Sequence, residues 1–410
     1  MIMKKLSLLG IGLFTSVAAF AQADVVKNVE HMLKGSNPDY VKAFEAIQPA
    51  LTNPETANTM MPWYLAGKAA MGIYDKGFIQ ESTGAPLDAA GKMQTGKALV
   101  DAYNAYFKAL PLDSVPDAKG KIKPKKSKDM LKELAGMYPQ LRNAGIFLLQ
   151  AQDYDGAYDA WELFVNVPTN PIFGKFAPVA ESDSLVGQIE YYQGIAKLSK
   201  NEAKTALNKF QAAINHGYQD IDLYRYAVES ANRADDKATM YELAQKGYEL
   251  YGTQDILFIG QLINHKLESE SYDEAFALVN EAIANTAPDN AAMLSQLYGV
   301  KGVIDDQNND YEGALSDLTQ AIELNDNNAK AYFDKARVLN NRASQMSMDD
   351  AEGKNVAAVK DLLLQAAEFF EKAFNLDEDT MSNVPGILYR LYYSLGQGYE
   401  EQTKYWEALQ

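Results

Sequence analysis

The sequence predicts an all-α fold: an α-solenoid of about eight helix pairs closed by a C-terminal capping helix. Three observations predict it. Small residues, usually alanine, recur seven positions apart within a frame of roughly 34 residues, the signature of a repeated two-helix unit. Glycine and aromatic residues return at matching places in that frame. The length, about 390 residues once an N-terminal leader is set aside, exceeds what one compact core usually holds, whereas a solenoid needs no single core.

Met1–Ala21 has the order of an export signal, with Lys4 and Lys5 first, an apolar run from Leu6 to Phe20, and Ala19-Phe20-Ala21 as a small-x-small cleavage site. The repeat array is expected over 22–380. Its first copy keeps mainly a second helix, with Tyr40, Ala43, Ile47 and Ala50. Trp63 and Gly67 then precede Ala102, Tyr106 and Ala109 across an insertion at 75–97, and a second insertion follows at 111–128. Leu141, Gly145, Tyr154, Ala157, Trp161 and Phe164 form the next copy, followed by an insertion at 165–186 with Pro168, Pro171, Gly174 and Pro178. Gly194, Ala206, Phe210 and Ala213 come next, and then Tyr224, Met240, Ala244 and Gly247. Ile259, Ile263, Tyr272, Ala275, Val279 and Ala282 continue the frame.

The clearest copy has Tyr298 and Gly302, then Tyr311, Ala314, Leu318, Ala321 and Leu324 before an Asn/Asp-rich stop. Tyr332 and Ala336 pair with Ala366, Phe370 and Ala373 across an insertion at 345–355 that is compatible with longer helices. The segment 381–410 is expected to cap the array, its helix over Ile387–Leu409 bending at Gly396 and Gly398. The small residues mark places where one helix must approach another closely, and the aromatics fill the wider gaps.

This pattern resembles the tetratricopeptide repeat, Trp-x2-Leu-Gly-x2-Tyr followed by Ala-x3-Phe-x2-Ala and a final Pro. The resemblance covers nearly the whole chain after the leader. It implies a binding scaffold in which the first helix of each repeat lines a concave groove, its second, fifth, sixth, ninth and thirteenth positions meeting ligands. Carried onto this sequence, those positions include Tyr64, Lys68, Arg142, Asn143, Gln188, Tyr191, Tyr192, Arg225, Tyr226, Arg233, Asn264, Phe333, Arg337 and Asn341. Tyrosine, arginine and asparagine together offer rigid contact area with a few directional hydrogen bonds, as a peptide-binding surface requires. Family members that grip a C-terminal carboxylate use Lys, Arg and Asn on adjacent helices. Here Glu229 stands at the ninth position after Arg225 and Gly260 at the next repeat's fifth, which argues against that mode.

Net charge is −17, and about −19 without Lys4 and Lys5, so a basic face for displacing counterions from nucleic acid is not expected. Lys119, Lys121, Lys123, Lys125, Lys126 and Lys128 reverse the sign locally and read as a solvated linker. With no cysteine the sequence has no disulfide, no thiolate metal site and no acceptor for a lipid anchor, which suits a soluble periplasmic or secreted protein.

Catalytic and cofactor motifs are not expected. Gly91 to Lys97 has phosphate-loop spacing, but Ala98 stands where a Mg²⁺-binding hydroxyl is needed. Asp306, Asn308 and Asp310 imitate the start of a calcium loop, yet Tyr311 occupies its glycine position and Asp317 the place of its bidentate glutamate. His31, His216 and His265 stand far apart with no zinc spacing. Asp113-Ser114-Val115, Asp183-Ser184-Leu185 and Asp379-Thr380-Met381 look like short acceptor sequences for periplasmic O-glycosylation.

The expected function is therefore a non-catalytic scaffold of the bacterial cell envelope that binds a protein or peptide, with no cofactor and no metal. The alternative is an envelope enzyme or glycan-binding and processing factor whose site lies in the insertions. Carboxylates of 75–97 converging with groove residues would favour the second.

Overall fold

The computed structural model describes residues 24–114, 116, 119–348 and 353–410, so the expected export signal lies outside the described residues. Among these, every regular element is a helix and none is a β-strand. The chain forms two compact units, Met1–Ala234 and Asp235–Gln410.

In the first unit α1 (24–33) precedes α2 (Tyr40–Thr52), and α3 (Met60–Ser82) pairs with α4 (Ala89–Asp113). An additional helix, α5 (Ser127–Met137), leads into the pairs α6 (Gln140–Gln150) with α7 (Tyr154–Asn166) and α8 (Asp183–Ser199) with α9 (Ala203–Asn215), and α10 (Ile221–Arg233) ends the unit. The repeat glycines act as contact points between paired helices. A Cβ on Gly67 would lie 2.2 Å from the Tyr106 ring, on Gly145 2.1 Å from the Trp161 indole, and on Gly194 2.4 Å from Phe210. Trp161 is fully buried, stacks on Tyr192, and donates its indole N–H to the Arg142 carbonyl at 3.3 Å.

The second unit contains α11 (Lys237–Tyr251), then α12 (Ile256–Glu268) with α13 (Tyr272–Asn285), α14 (Ala291–Gln307) with α15 (Tyr311–Leu324), and α16 (Ala329–Met348) with α17 (Val356–Leu376). Ile259, Ile263, Ala275, Val279 and Ala282 are buried together with Leu297 and Ile304, and a Cβ on Gly302 would lie 2.7 Å from Leu318. The end of the chain forms α18 (Val384–Leu395) and α19 (Glu400–Glu407), whose Trp406 packs edge-on against Phe374 at 5.6 Å.

One turn design recurs through the chain. Gln152, Asn201, Asp235, Glu270 and Asn309 each adopt a left-handed φ of 56–64° immediately before the next helix. In three of these turns the following aspartate caps that helix: Asp153 accepts from the Gly156 N–H at 3.1 Å, Asp236 from Thr239 at 3.1 Å and Asp310 from Gly313 at 3.0 Å. A left-handed residue reverses the chain within a few positions, and the carboxylate satisfies an N–H left unpaired at the helix start.

Several boundaries differ from the sequence expectation. The insertion at 75–97 is mostly helix, because α3 continues to Ser82 and α4 starts at Ala89, leaving a turn over 83–88. Gly91 to Lys97 accordingly lies inside α4. The insertion at 111–128 shrinks to the stretch between Asp113 and Ser127. Buried Asp113 holds the start of α5, accepting from the N–H groups of Lys125, Lys126 and Ser127 and from the Ser127 hydroxyl, at 2.7–3.0 Å. Burial alone would raise the Asp113 pKa, but these hydrogen bonds together hold it below the ordinary value.

The segment 165–186 folds into short 3₁₀ turns at Val167–Thr169 and Pro171–Phe176 that bury Phe173. Part of the insertion at 345–355 lies outside the described residues, as does Val115 of the first acceptor sequence. The capping segment is two helices rather than one bent helix, since Gly396 and Gly398 have φ of 71° and 98°, which ends α18 outright. Finally, the expected pair of α10 with α11 is divided between the two units.

Candidate functional site

In the second unit the first helices of three successive pairs enclose a cavity of 360 Å³. Ile256 and Leu267 of α12, Val300 and Val303 of α14, and Ala331 of α16 supply an apolar lining. Asn264, Gln296, Asn328, Lys330 and Asp334 add polar groups, and Gly299 contributes bare backbone. Counted with Gly302 as the eighth residue of its helix, Gln296, Gly299, Val300 and Val303 occupy the second, fifth, sixth and ninth positions. These are among the positions at which the resemblance places ligand contacts.

The polar groups divide into held and open. Asn328 donates to the Ser295 hydroxyl at 2.8 Å and accepts from the Ala331 N–H at 3.1 Å, which fixes the start of α16. Lys330, whose side chain is exposed, meets buried Asp334 at 2.8 Å, and Arg337 reaches Asp334 at 3.6 Å and buried Asp306 at 2.7 Å. Asn264 and Gln296 are exposed, and among the described residues their side chains make no hydrogen bond.

Lys301 of α14 pairs with Asp317 of α15 at 2.8 Å, and Asp305, one turn along α14, stands beside Asp317. Burial first, and then the hydrogen bond and charge of Asp317, push the Asp305 carboxyl from 3.8 up to about 6. A folded-state pKa above the unfolded value means that this group stabilises fully below about pH 4 and that the contribution is lost as pH rises through about 6. Asp305→Asn is therefore expected to be more stable than the wild type at pH 7, by about 2 kcal/mol, with the advantage vanishing near pH 4. Urea unfolding of both proteins at the two pH values checks this, and parallel profiles would refute it.

The sequence-derived site residues fare unequally. Asn264 lines the cavity. Arg337 is committed to Asp306 and Asp334, Phe333 packs edge-on against Phe370 at 5.4 Å, and Asn341 is exposed farther along α16.

In the first unit the chain itself meets Tyr64 and Lys68. Lys68 pairs with Glu133 of α5 at 2.9 Å, while Tyr64 stacks on Tyr106 and lies under Lys126. Glu133 also accepts from the Tyr106 hydroxyl at 2.7 Å. Tyr191 is a correction: it is buried among Tyr192, Phe210, Tyr218 and Tyr226, so it belongs to an aromatic core rather than an open surface. Tyr192 and Tyr226 are part of the same packing. Gln188 is half-buried, Asn143 donates to Gln140, Arg225 meets Asp222 at 2.6 Å and Arg233 meets Glu229 at 2.5 Å. Arg142 is exposed.

Two of the three carboxylates of 75–97 are held locally, whereas Asp75 stands near Lys68 and Glu133, its pKa raised by burial first and then by the Glu133 charge. Glu81 accepts from the Leu87 N–H and pairs with Lys92, and Asp88 caps α4. Among the described residues no three His, Asp or Glu side chains could hold a metal ion. The calcium-like Asp306-x-Asn308-x-Asp310 is the repeat turn, with Asp306 bound to Arg337, Asn309 left-handed and Asp310 capping α15.

Charge separates the two units. Residues 235–410 carry 31 Asp and Glu against 13 Lys and Arg, a net −18, whereas residues 1–234 carry 24 against 25. No helix among the described residues is long and apolar enough to cross a membrane.

No family model and no curated protein matches the sequence. Solved structures do. The C-terminal part of a tetratricopeptide repeat-containing protein from Cytophaga hutchinsonii is similar at 13% identity and a TM-score of 0.42, over 65% of this chain and 93% of that one. A tetratricopeptide repeat protein from Parabacteroides merdae is similar at 13% identity and 0.36, over 77% and 96%. YrrB, described as a tetratricopeptide protein with an unusual peptide-binding site, is similar at 12% identity and 0.30, over 63% and 95%.

Proposed function

We propose, for a chain whose fold is of the tetratricopeptide-repeat type, a non-catalytic role: it holds an extended segment of a partner protein against the first helices of its second unit. The observation that carries this reading is the 360 Å³ cavity on α12, α14 and α16, at helix positions that face ligands in such repeats. Its apolar lining supplies contact area, and the open amides of Asn264 and Gln296 supply direction. The setting we propose is the bacterial cell envelope, reached through the export signal read at Met1–Ala21.

Site-specific photocrosslinking tests both parts. A photoreactive residue in place of Gln296 is expected to give a defined adduct from envelope fractions of the source cells, mapping to one segment of one partner. The same residue in place of Gln320, exposed on α15, should give none. Adducts formed only from Gln320 would sink the binding-face reading, and an adduct confined to cytoplasmic fractions would sink the envelope setting.

A further inference from the structure

We propose that Gly299 opens a socket for one large apolar side chain of the bound segment, and that this segment is basic. The inference rests on the binding face just described and gives its ligand a chemistry. Most glycines of the repeat frame are explained by packing: a Cβ on Gly302, three residues along the same helix, would come within 2.7 Å of Leu318 and 3.0 Å of the Ala314 carbonyl. A Cβ on Gly299 would meet nothing within 4 Å. Glycine inside a helix is less favourable than alanine, so a helix that carries it without close packing gives up stability for open space. Gly260, on α12, likewise meets nothing.

The space is large enough, since about 150 Å³ accepts a benzene-sized group and this cavity offers 360 Å³. Val300, Val303 and Ala331 would contact an apolar side chain there, while Asn264 and Gln296 can each donate to a main-chain carbonyl and accept from a main-chain N–H on either side of it.

Charge selects the flanks. The second unit holds a net −18, and the rim cation Lys330 is matched by Asp334, so lysine and arginine beside the anchor are attracted and acidic flanks are repelled. The occupant is therefore an extended segment of a partner protein with a Leu, Met or Phe anchor between basic residues.

Fluorescence anisotropy on the full chain, with short labelled peptides whose centre is Leu, Phe or Gly and whose flanks are Lys and Ser or Glu and Ser, tests this. The Leu- or Phe-centred basic peptides are expected to bind about tenfold more tightly than the glycine-centred one. Gly299→Leu should abolish that preference, with its fold checked by circular dichroism, and Gly299→Ala should reduce it while raising the melting temperature. Asn264→Ala with Gln296→Ala should weaken all basic peptides alike.

Basic peptides that bind regardless of their centre, or whose preference survives Gly299→Leu, would overturn the socket and leave the binding face standing. Tighter binding of the glutamate peptides would overturn the charge assignment. If no peptide binds while the Gln296 crosslinker still captures a partner, the ligand is not a segment of this kind and the inference fails alone. Failure of both experiments removes the binding face as well.

Discussion

Trp161→Ala is expected to cost the first unit about 4 kcal/mol, the range for emptying a fully buried aromatic site. The indole lies directly over Gly145, stacks on Tyr192 at 5.7 Å, and donates to the Arg142 carbonyl, so its loss leaves a cavity and removes a hydrogen bond between the paired helices. A double-mutant cycle makes the claim specific. Gly145→Ala alone should destabilise, because the added Cβ would lie 2.1 Å from the indole nitrogen. In the Trp161→Ala background the same change should become neutral or stabilising by up to about 1 kcal/mol, since the clash is gone and alanine is the better helix former. Denaturant unfolding followed by circular dichroism reads all four proteins. If Gly145→Ala has the same effect in both backgrounds, the glycine is not there for the tryptophan.

The second large effect is expected at Arg337. Replacing it with alanine should destabilise the second unit by about 3 kcal/mol, because the buried carboxylates of Asp306 and Asp334 lose a cation that stands 2.7 Å and 3.6 Å from them. The side chain is one-third exposed, which keeps the figure below that of a fully buried pair. Asp306→Asn combined with Arg337→Ala should recover part of the loss by removing one unpaired charge. A change below about 1 kcal/mol in the single variant would show that water replaces the guanidinium. Because Arg337 holds these carboxylates, lost binding in an Arg337 variant would report damage to the fold as readily as a missing contact. Gln296 and Asn264 are the cleaner probes of binding.

Much of this architecture was legible in the sequence. The alanine and glycine spacing located the helix pairs, and the calcium-like motif sits in the expected repeat turn, with Asn309 left-handed and Asp310 capping α15. Even the cavity had a signal: Gln296, Gly299, Val300 and Val303 stand in the clearest copy at positions where the resemblance places ligand contacts. The charge imbalance was also written there, but only the boundary at Ala234 shows that all of it belongs to one unit.

What the sequence by itself determined is local. Helix pairing in a repeat depends on neighbours within roughly 34 residues, so periodicity is enough to encode it. The tertiary structure decided which side chains remain open, because that depends on segments far apart along the chain. Lys68 had the right helical position to face a ligand, yet it meets Glu133, 65 residues away. Tyr191 had the right position and chemistry, and the rings of Phe210, Tyr218 and Tyr226 enclose it. At Gly299 the order is reversed: spacing made it one glycine among many, and only the folded unit left the volume over it empty. Period fixes where a side chain starts, and packing against distant residues fixes whether anything else can reach it.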